Sequence, residues 1–239
     1  MWCLQVKKID VFALKGYNES SKTGGVFMNK KYLITISRQY GSGGREVGKR
    51  LAELLGVPFY DKELIEMAAA ESGIDKELFE TEGERTSKGF NFLGVIGYTL
   101  GSPVAGLSEM TLNDRMFLVQ SQVIQQIAAA GSAVIVGRCA DYILGDYSNC
   151  INTFIYAYKD DRIRRIMKLY ELNEKQAADK IKKTDRERKL YYEARTGREW
   201  GGIESNSMMF NTSLLGIDGA VDALEAIYRK WDAGRDVES

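Results

Sequence analysis

The sequence predicts an α/β fold, in which a parallel β-sheet carries helices on both of its faces. Short and almost entirely apolar segments alternate with longer helical ones along the chain, and strands buried on both faces have this composition. The length of 239 residues, with 44% hydrophobic and 28% charged residues, allows a sizeable core and excludes a disordered or fibrous chain. We expect one main domain of this class, with five strands.

The first half of the chain starts the pattern with a strand, a glycine-rich turn and a helix. Residues 31–37 (KYLITIS) are apolar and β-branched, which favours a buried strand. Gly41-Ser42-Gly43-Gly44 follows, and apolar residues then recur at helical spacing from Val47 onward. Residues 58–60 predict a second short strand, and Asp61, a good N-terminal cap, begins the next helix.

The second half continues the alternation. Residues 72–110 are rich in glycine and serine and predict a mixture of helix and mobile loop. Beyond them we expect a long helix, two strands, a highly charged helical segment, a fifth strand and a closing helix. Their predicted bounds, in that order, are 112–130, 133–136, 151–158, 160–195, 207–211 and 219–231.

Residues 1–27 differ from the rest in composition. Residues 20–25 (SSKTGG) resemble a linker, and the apolar run at 11–14 is too short for a secretory signal. We therefore expect a functional domain over residues 28–239, preceded by an extension outside the core. The alternative is that this stretch supplies an extra packed strand.

Several classes of function are excluded by composition. The chain has no histidine, which removes His-based catalytic triads and the usual zinc sites, and no metal-binding residues are predicted. Three cysteines leave one unpaired in any disulfide scheme, so we expect a reducing, cytoplasmic location. Lysine plus arginine equals aspartate plus glutamate, 33 each, so nucleic acid is not an expected partner. No apolar run approaches the ~18 residues of a membrane span.

The chemistry is expected where the strands end, because ligands of parallel sheets bind at the carboxyl ends of the strands. The residues there are the glycine-rich turn after the first strand, Asp61 after the second and Arg138 after the third. Glycines in front of a helix N-terminus are typical of a phosphate-binding loop. A dinucleotide fingerprint is excluded, because Glu46 stands where its third glycine is needed.

Two registers of the phosphate loop are possible. One is the literal string Gly43-x4-Gly48-Lys49, which would put Val47 in the loop although Val47 begins the apolar face of the helix. We favour residues 41–46, in which Gly44 takes the usual position of lysine and Arg38 or Arg45 must supply the positive charge. A glycine-rich turn without a ligand is the third possibility.

Six segments together resemble the cytidylate kinase-like family of P-loop proteins, over about residues 31–230. They are ITISRQYGSGGREVGKRLAELLG (34–56), VPFYDKELIEMAA (57–69), SAVIVGRCADYIL (132–144), FIYAYKDDRIRRIMKL (154–169), TDRERKLYY (184–192) and FNTSLLGIDGAVDAL (210–224). The resemblance implies a P-loop NTPase fold with three α/β/α layers, a five-stranded parallel sheet and a helical lid. It also implies an insertion for the phosphate acceptor at about 61–130 and a lid at about 159–200.

The resemblance further implies ATP as cofactor, with Mg²⁺ carried on its phosphates, and a small phosphate acceptor as the other ligand. The nucleotide would be bound by Gly41, Ser42, Gly43, Gly44, Arg45, Glu46 and Arg162. The residues expected at the acceptor are Asp61, Arg138 and Asp141, and those expected to assist transfer are Arg38, Arg45, Arg186 and Arg188. Arginines suit this chemistry because phosphoryl transfer needs positioning and neutralisation of charge.

The sequence also departs from authentic cytidylate kinases. Gly44 and Arg45 replace the loop lysine and the hydroxyl residue that follows it, and Cys139 replaces the aspartate after the Gly-Arg pair. Three functions therefore stay open: a kinase for a nucleoside monophosphate or another small acceptor, a nucleotide-binding sensor without catalysis, and an interaction domain. Two residues have structural alternatives, an ion pair of Arg138 with Asp141 or Asp146 and a purely helix-capping Asp61.

Overall fold

The computed structural model describes residues 32–62, residue 65 and residues 112–234. The predicted N-terminal extension and the segment 72–110 lie outside these residues. Within them, five strands form one parallel sheet in the order β2-β3-β1-β4-β5. The strands are β1 Leu33–Arg38, β2 Phe59–Tyr60, β3 Ala133–Val136, β4 Cys150–Tyr156 and β5 Met208–Asn211. The prediction of a five-stranded parallel sheet is confirmed.

Six helices of the described residues connect and cover these strands. They are α1 Gly44–Leu55, α2 Leu112–Ala130, α3 Ala140–Ile143, α4 Lys159–Tyr170, α5 Glu174–Thr196 and α6 Thr212–Gly234, with a 3₁₀ turn at Ile203–Ser205. The predicted bounds of the helix at 112–130 and the strand at 133–136 are confirmed. None of these helices is long and apolar enough to cross a membrane.

The charged segment 160–195 is two helices rather than one. Glu171 adopts the left-handed conformation, with a φ of 54°, and ends α4. The Asn173 side chain accepts a hydrogen bond from the backbone N–H of Gln176. The Gln176 side chain in turn accepts one from the backbone N–H of Asn173. This reciprocal capping starts a new helix, so α4 and α5 form a hairpin, called here the charged hairpin.

The last helix begins at Thr212, earlier than the predicted residue 219. Gly216 interrupts it, with φ 69° and ψ 179°, so that a short first segment is separated from the long remainder. The apolar periodicity visible in the sequence belongs to the remainder only. For this reason the predicted start of the helix, at residue 219, was too late.

The sheet is covered on both faces, which makes three layers. Alternate residues of a strand point to opposite faces: Ile34 and Ile36 pack with α1 and α6, whereas Leu33 packs with α2 and α3. The charged hairpin has a small core of its own, made of Ile163, Ile166, Ala177 and Ile181. Because β1 lies at the centre between β3 and β4, the loop that follows β1 crosses the middle of the carboxyl edge.

Gly48 sets the distance between α1 and the sheet. A Cβ atom there would lie 2.9 Å from Val136 Cγ2 and 3.1 Å from Ile36 Cδ1. We predict that Gly48→Ala lowers the free energy of unfolding by about 1–3 kcal/mol, since overpacking of a rigid core outweighs the gain in helix propensity. The measurement is denaturant unfolding.

Gly219→Ala is the matched control, because Gly219 is also helical and its added Cβ would meet only Leu215 Cβ, at 3.4 Å. That variant should keep or slightly raise the stability. Equal stability of both variants would contradict the proposed close packing at Gly48.

Candidate functional site

The loop between β1 and α1, residues 39–43, lies across the carboxyl edge of the sheet and is called here the glycine loop. Gly41 and Gly43 have φ values of 83° and 81°, a conformation that residues with a Cβ rarely adopt. The Ser42 N–H and hydroxyl both donate to the Gln39 carbonyl. The Thr212 hydroxyl donates to the Ser42 carbonyl at 2.7 Å and so ties α6 to the loop.

The glycines also allow the neighbouring helices to approach the loop. A Cβ at Gly41 would lie 3.1 Å from the backbone oxygen of Arg162 in α4, and one at Gly43 would lie 2.9 Å from Ile217 Cδ1 in α6. Gly43 is the N-cap of α1 and provides no side-chain hydrogen bond to the helix. The first N–H groups of α1 therefore need another acceptor, and helix N-termini of this kind bind anions.

The residues of the two candidate registers lie in different parts of the strand–loop–helix unit. Gly41, Ser42 and Gly43 lie in the loop, and Gly44, Arg45 and Glu46 form the first turn of α1. Lys49 lies further along α1, where its exposed side chain pairs with Glu53. Lys49 therefore has a solvent-exposed position on the helix and is not part of the loop.

The Arg38 side chain crosses the edge of the sheet between two glycines. A Cβ at Gly44 would lie 2.6 Å from Arg38 Cβ, and one at Gly137 would lie 2.4 Å from Arg38 Nη1. Gly44 is thus needed to make room for the root of this arginine, and Gly137 leaves space for its guanidinium in the observed position. Its guanidinium lies beside the end of β3, and its aliphatic part lies beside the start of α1.

Arg45 is turned toward the end of β2. Its Nε and Nη2 atoms both approach Asp61 Oδ2, at 2.8 and 2.6 Å. The Asp61 carboxylate is buried, whereas 62% of the Arg45 side chain is exposed. Arg45 and Asp61, predicted for two different ligands, therefore meet in one ion pair that connects α1 with β2.

Arg165 of α4 also lies at the site, although of the arginines at 162, 164 and 165 only Arg162 was assigned to the nucleotide. Its Cζ atom lies 3.7 Å from the position of a Cβ at Gly43, and its guanidinium pairs with Glu46. Burial alone would raise the pKa of Glu46, but the hydrogen bonds and charges of Arg165 and Arg50 lower it below its usual value. No local pattern distinguishes Arg165 from its neighbours Arg162 and Arg164, because the distinction comes from the tertiary contact.

The remaining arginines of the charged hairpin have separate positions. Arg162 donates to the Tyr40 carbonyl at 3.3 Å and pairs with Asp185. Arg188 donates to the Arg38 carbonyl at 3.0 Å, and burial lowers its pKa. Arg186 is exposed on α5 and makes no ion pair with another described residue. Arg162 and Arg188 thus contact the backbone around the glycine loop, and Arg186 faces solvent.

Arg138 follows β3 in a strained turn. Gly137, Arg138 and Cys139 have successive φ values of 82°, 56° and 55°, and left-handed residues other than glycine cost about 1–2 kcal/mol each. The Arg138 guanidinium lies 5.5 Å from the centroid of the Tyr191 ring in α5, and the Tyr191 hydroxyl donates to Gln120 Oε1 at 3.1 Å. The turn therefore directs Arg138 toward the space between α2 and α5.

Asp141 lies in the interior rather than at the surface of the site. Its carboxylate accepts hydrogen bonds from the Tyr192 hydroxyl at 2.6 Å and the Ser37 hydroxyl at 3.4 Å. Burial raises the pKa of Asp141, and the two hydroxyl groups offset part of that increase. Because hydroxyl groups hold this carboxylate, the structure does not favour an ion pair between Arg138 and Asp141. The acceptor-binding role predicted for Asp141 gains no support from its buried position.

The raised pKa of Asp141 predicts a pH-dependent stability. The unfolded chain releases the Asp141 proton at a lower pH than the folded protein does. The contribution of Asp141 to the free energy of unfolding is therefore fully present in acid and is lost as pH rises through the pKa of the folded protein. We expect the stability of Asp141→Asn, relative to the unmodified protein, to increase from about pH 4 upward. Denaturant unfolding at several pH values measures this difference, and Asp146→Asn, an exposed aspartate in the same region, serves as the control. A pH-independent difference would contradict the assigned cause.

One of the solved structures similar to this chain has the same fold. The crystal structure of an uncharacterized protein from Eubacterium ventriosum ATCC 27560 has 27% sequence identity and a TM-score of 0.64, over 83% of this chain and 99% of that one. Shikimate kinase from Bacteroides thetaiotaomicron has 17% identity and a TM-score of 0.48, over 84% of this chain and 99% of that one. The second likeness is too distant to bear on activity.

The sequence comparisons give a family and no individual relative. No curated protein matches the chain. The profile of the cytidylate kinase-like family matches residues 33–214, which include the glycine loop, the turn at Arg138 and the charged hairpin. The chain therefore belongs to the cytidylate kinase-like family.

Proposed function

We propose that this protein is a kinase that transfers the γ-phosphate of ATP to a nucleoside monophosphate or another small acceptor. The observation that carries the proposal is the position of Arg38, between the start of α1 and the end of β3. A cation there can contact a phosphoryl group as it moves from donor to acceptor, and stabilising that charge is most of what phosphoryl transfer requires.

The donor side of the proposal is the glycine loop with the N-terminus of α1. Gly43 leaves the first N–H groups of α1 without a side-chain cap, and Arg165 lies beside the same glycine. A chain of phosphates fits this surface because backbone donors and the helix dipole favour negative charge, and Arg165 would add its charge on exchanging Glu46 for a phosphate. The loop lysine of related kinases is absent, and Arg38 takes over its charge in this proposal.

Magnesium is proposed to arrive on the nucleotide. In the part of the chain that the structure describes, no group of three or more Cys, Asp or Glu residues could hold a metal ion. Glu46 pairs with Arg165 and Asp61 pairs with Arg45, so neither carboxylate is available without breaking an ion pair. When bound to the phosphates, the ion would supply further neutralisation of charge.

The acceptor side of the proposal is the space between α2 and α5, next to Arg138. The Arg138 guanidinium is held against the Tyr191 ring, and aromatic contacts of this kind attract and orient a guanidinium. Arg195 lies 5.8 Å from the same ring centroid and pairs with Asp114. The position of Arg138 in this space favours an acceptor that carries a phosphate group.

The second candidate is a nucleotide-binding protein without catalysis, favoured by the absence of the loop lysine. The test that separates the two is a phosphotransfer assay with γ-labelled ATP and a panel of nucleoside monophosphates and phosphorylated metabolites. Label transferred to an acceptor supports the kinase. Binding of ATP in calorimetry without transfer to any acceptor would favour the sensor.

Exchanging the cation between positions 38 and 44 tests the role of Arg38. Gly44→Lys alone should abolish binding of a non-hydrolysable ATP analogue, since its Cβ would collide with Arg38 Cβ at 2.6 Å. Arg38→Gly alone should weaken binding by about tenfold or more through loss of a charged hydrogen bond. The double variant Arg38→Gly/Gly44→Lys should bind more tightly than either single variant.

Lys49→Ala is the control, because Lys49 is an exposed cation of α1 that pairs with Glu53. Its affinity for the analogue should be unchanged. If Lys49→Ala alone abolished binding, the loop register and the role of Arg38 would both be wrong.

Arg138 is expected to bind the phosphate of the acceptor. Arg138→Ala should weaken binding of any phosphorylated acceptor by about tenfold or more, while the affinity for the ATP analogue stays unchanged. Calorimetry with each ligand measures the two affinities separately, and Arg198→Ala, an exposed arginine near the C-terminal end of α5, is the control. Loss of affinity for the ATP analogue alone would move Arg138 to the donor side.

A further inference from the structure

Tyr40, in the glycine loop, is held by the charged hairpin through both of its backbone polar groups. Its N–H donates to Asp185 Oδ1 at 2.7 Å, and its carbonyl accepts from Arg162 Nη1 at 3.3 Å. The second oxygen of Asp185 pairs with the same Nη1 atom of Arg162. One carboxylate, one guanidinium and the backbone of Tyr40 thus form a closed network.

The Tyr40 ring is also contacted by the charged hairpin. The Arg188 guanidinium lies 5.3 Å from its centroid, and the Tyr170 ring stacks on it with centroids 6.5 Å apart and planes at 24°. Tyr40 also packs against the small core of the charged hairpin. Burial raises the pKa of Tyr40, so the ring stays neutral. The conformation at Tyr40 therefore depends on α4 and α5 as much as on the loop itself.

Asp185 supplies the negative charge that compensates the Arg162 guanidinium in this network. Arg162 and Asp185 are largely buried, with 12% and 18% of their side chains exposed. Among the described residues, Arg162 Nε is buried without a hydrogen-bond partner. The guanidinium of Arg162 is therefore held by the two contacts of its Nη1 atom, with Asp185 and with the Tyr40 carbonyl. A guanidinium that lost this carboxylate would be left desolvated and would move toward water.

Holding both polar groups of Tyr40 fixes two peptide planes. The N–H fixes the plane between Gln39 and Tyr40, and the carbonyl fixes the plane between Tyr40 and Gly41. In a trans peptide the N–H points opposite to the carbonyl. The Gly41 N–H therefore points away from Arg162, which is the orientation needed for a donor that serves a ligand outside the charged hairpin.

We infer that Asp185 is a positioning residue, which orients the amides of the glycine loop for the phosphates of a nucleotide without touching the nucleotide. It acts through Tyr40 directly and through Arg162, whose guanidinium it holds on the Tyr40 carbonyl. This inference rests on the proposed function, because it assigns to Asp185 the preparation of a phosphate-binding loop. The expected effect of Asp185 is on binding of the phosphates and not of the base.

The test compares Asp185→Asn and Asp185→Ala with Asp179→Ala. Asn keeps an acceptor for the Tyr40 N–H but loses the charge opposite Arg162, and Ala loses both. Asp179 is an exposed aspartate of the same helix without an ion pair to any described residue. The measurements are calorimetric affinities for a non-hydrolysable ATP analogue and for adenosine, the melting temperature, and hydrogen exchange of the Tyr40 amide.

We expect Asp185→Ala to weaken binding of the ATP analogue by about tenfold or more and to speed exchange of the Tyr40 amide by about tenfold. Asp185→Asn should give smaller effects in the same direction. Adenosine binding should not change in either variant, because adenosine has no phosphate for the loop to bind. Asp179→Ala should match the unmodified protein in all four measurements.

Two results would overturn the inference. Equal weakening for adenosine and the ATP analogue, in step with the melting temperature, would show that Asp185 only stabilises the fold. Tighter binding of the analogue by Asp185→Asn would show that the carboxylate competes with the phosphates. If the unmodified protein binds no nucleotide, the proposed function fails, and exchange of the Tyr40 amide still decides whether Asp185 holds the loop.

Discussion

The close approach of backbone to side chain around the glycine loop is the constraint on which the site depends. Gly41 and Gly43 let α4 and α6 pack directly against the loop, while Gly44 and Gly137 make room for Arg38. A Cβ at Gly41 or Gly43 would meet the helix packed against the loop, and one at Gly44 would meet the root of the Arg38 side chain. The neighbouring elements can approach the loop this closely only because these positions lack a Cβ.

The site relies almost entirely on guanidinium groups. Arg38, Arg138, Arg162 and Arg165 all lie near the carboxyl edge, and the chain contains no histidine. Guanidinium keeps its charge throughout the physiological pH range and binds phosphate oxygens through several donors. The acids nearby serve mainly to orient these cations, as Glu46 does for Arg165 and Asp61 does for Arg45. Fixed charges in fixed positions suit a reaction that needs neutralisation more than proton transfer.

Much of the fold could be predicted from the sequence, because local patterns determine it. Apolar runs such as residues 133–136 identified the strands, and the glycines before Val47 identified the strand–loop–helix unit. The reciprocal cap of Asn173 and Gln176 was not predicted, because the charged composition of residues 160–195 concealed the break between α4 and α5. The start of α6 could not be read, because Gly216 separates a segment with no periodicity of its own.

The candidate site was less predictable, since its contacts join residues far apart in the chain. The sequence left Arg38 and Arg45 as equal candidates for the missing cation. Only the tertiary structure places Arg38 beside Gly137 and pairs Arg45 with Asp61. The contact of Tyr40 with Asp185 spans 145 residues, and no local motif announces it. For the same reason Arg165 was not assigned to the nucleotide.

The exclusion between side chains at positions 38 and 44 has an evolutionary consequence. Because a Cβ at Gly44 would lie 2.6 Å from Arg38 Cβ, a lineage with this arginine cannot acquire a lysine at position 44 by one tolerated substitution. It would first have to acquire glycine at position 38, since any other side chain there also has a Cβ, and so pass through an ancestor with neither cation in place. Moving the cation therefore takes two substitutions, each of which alone is expected to weaken the site, so positions 38 and 44 are expected to change together.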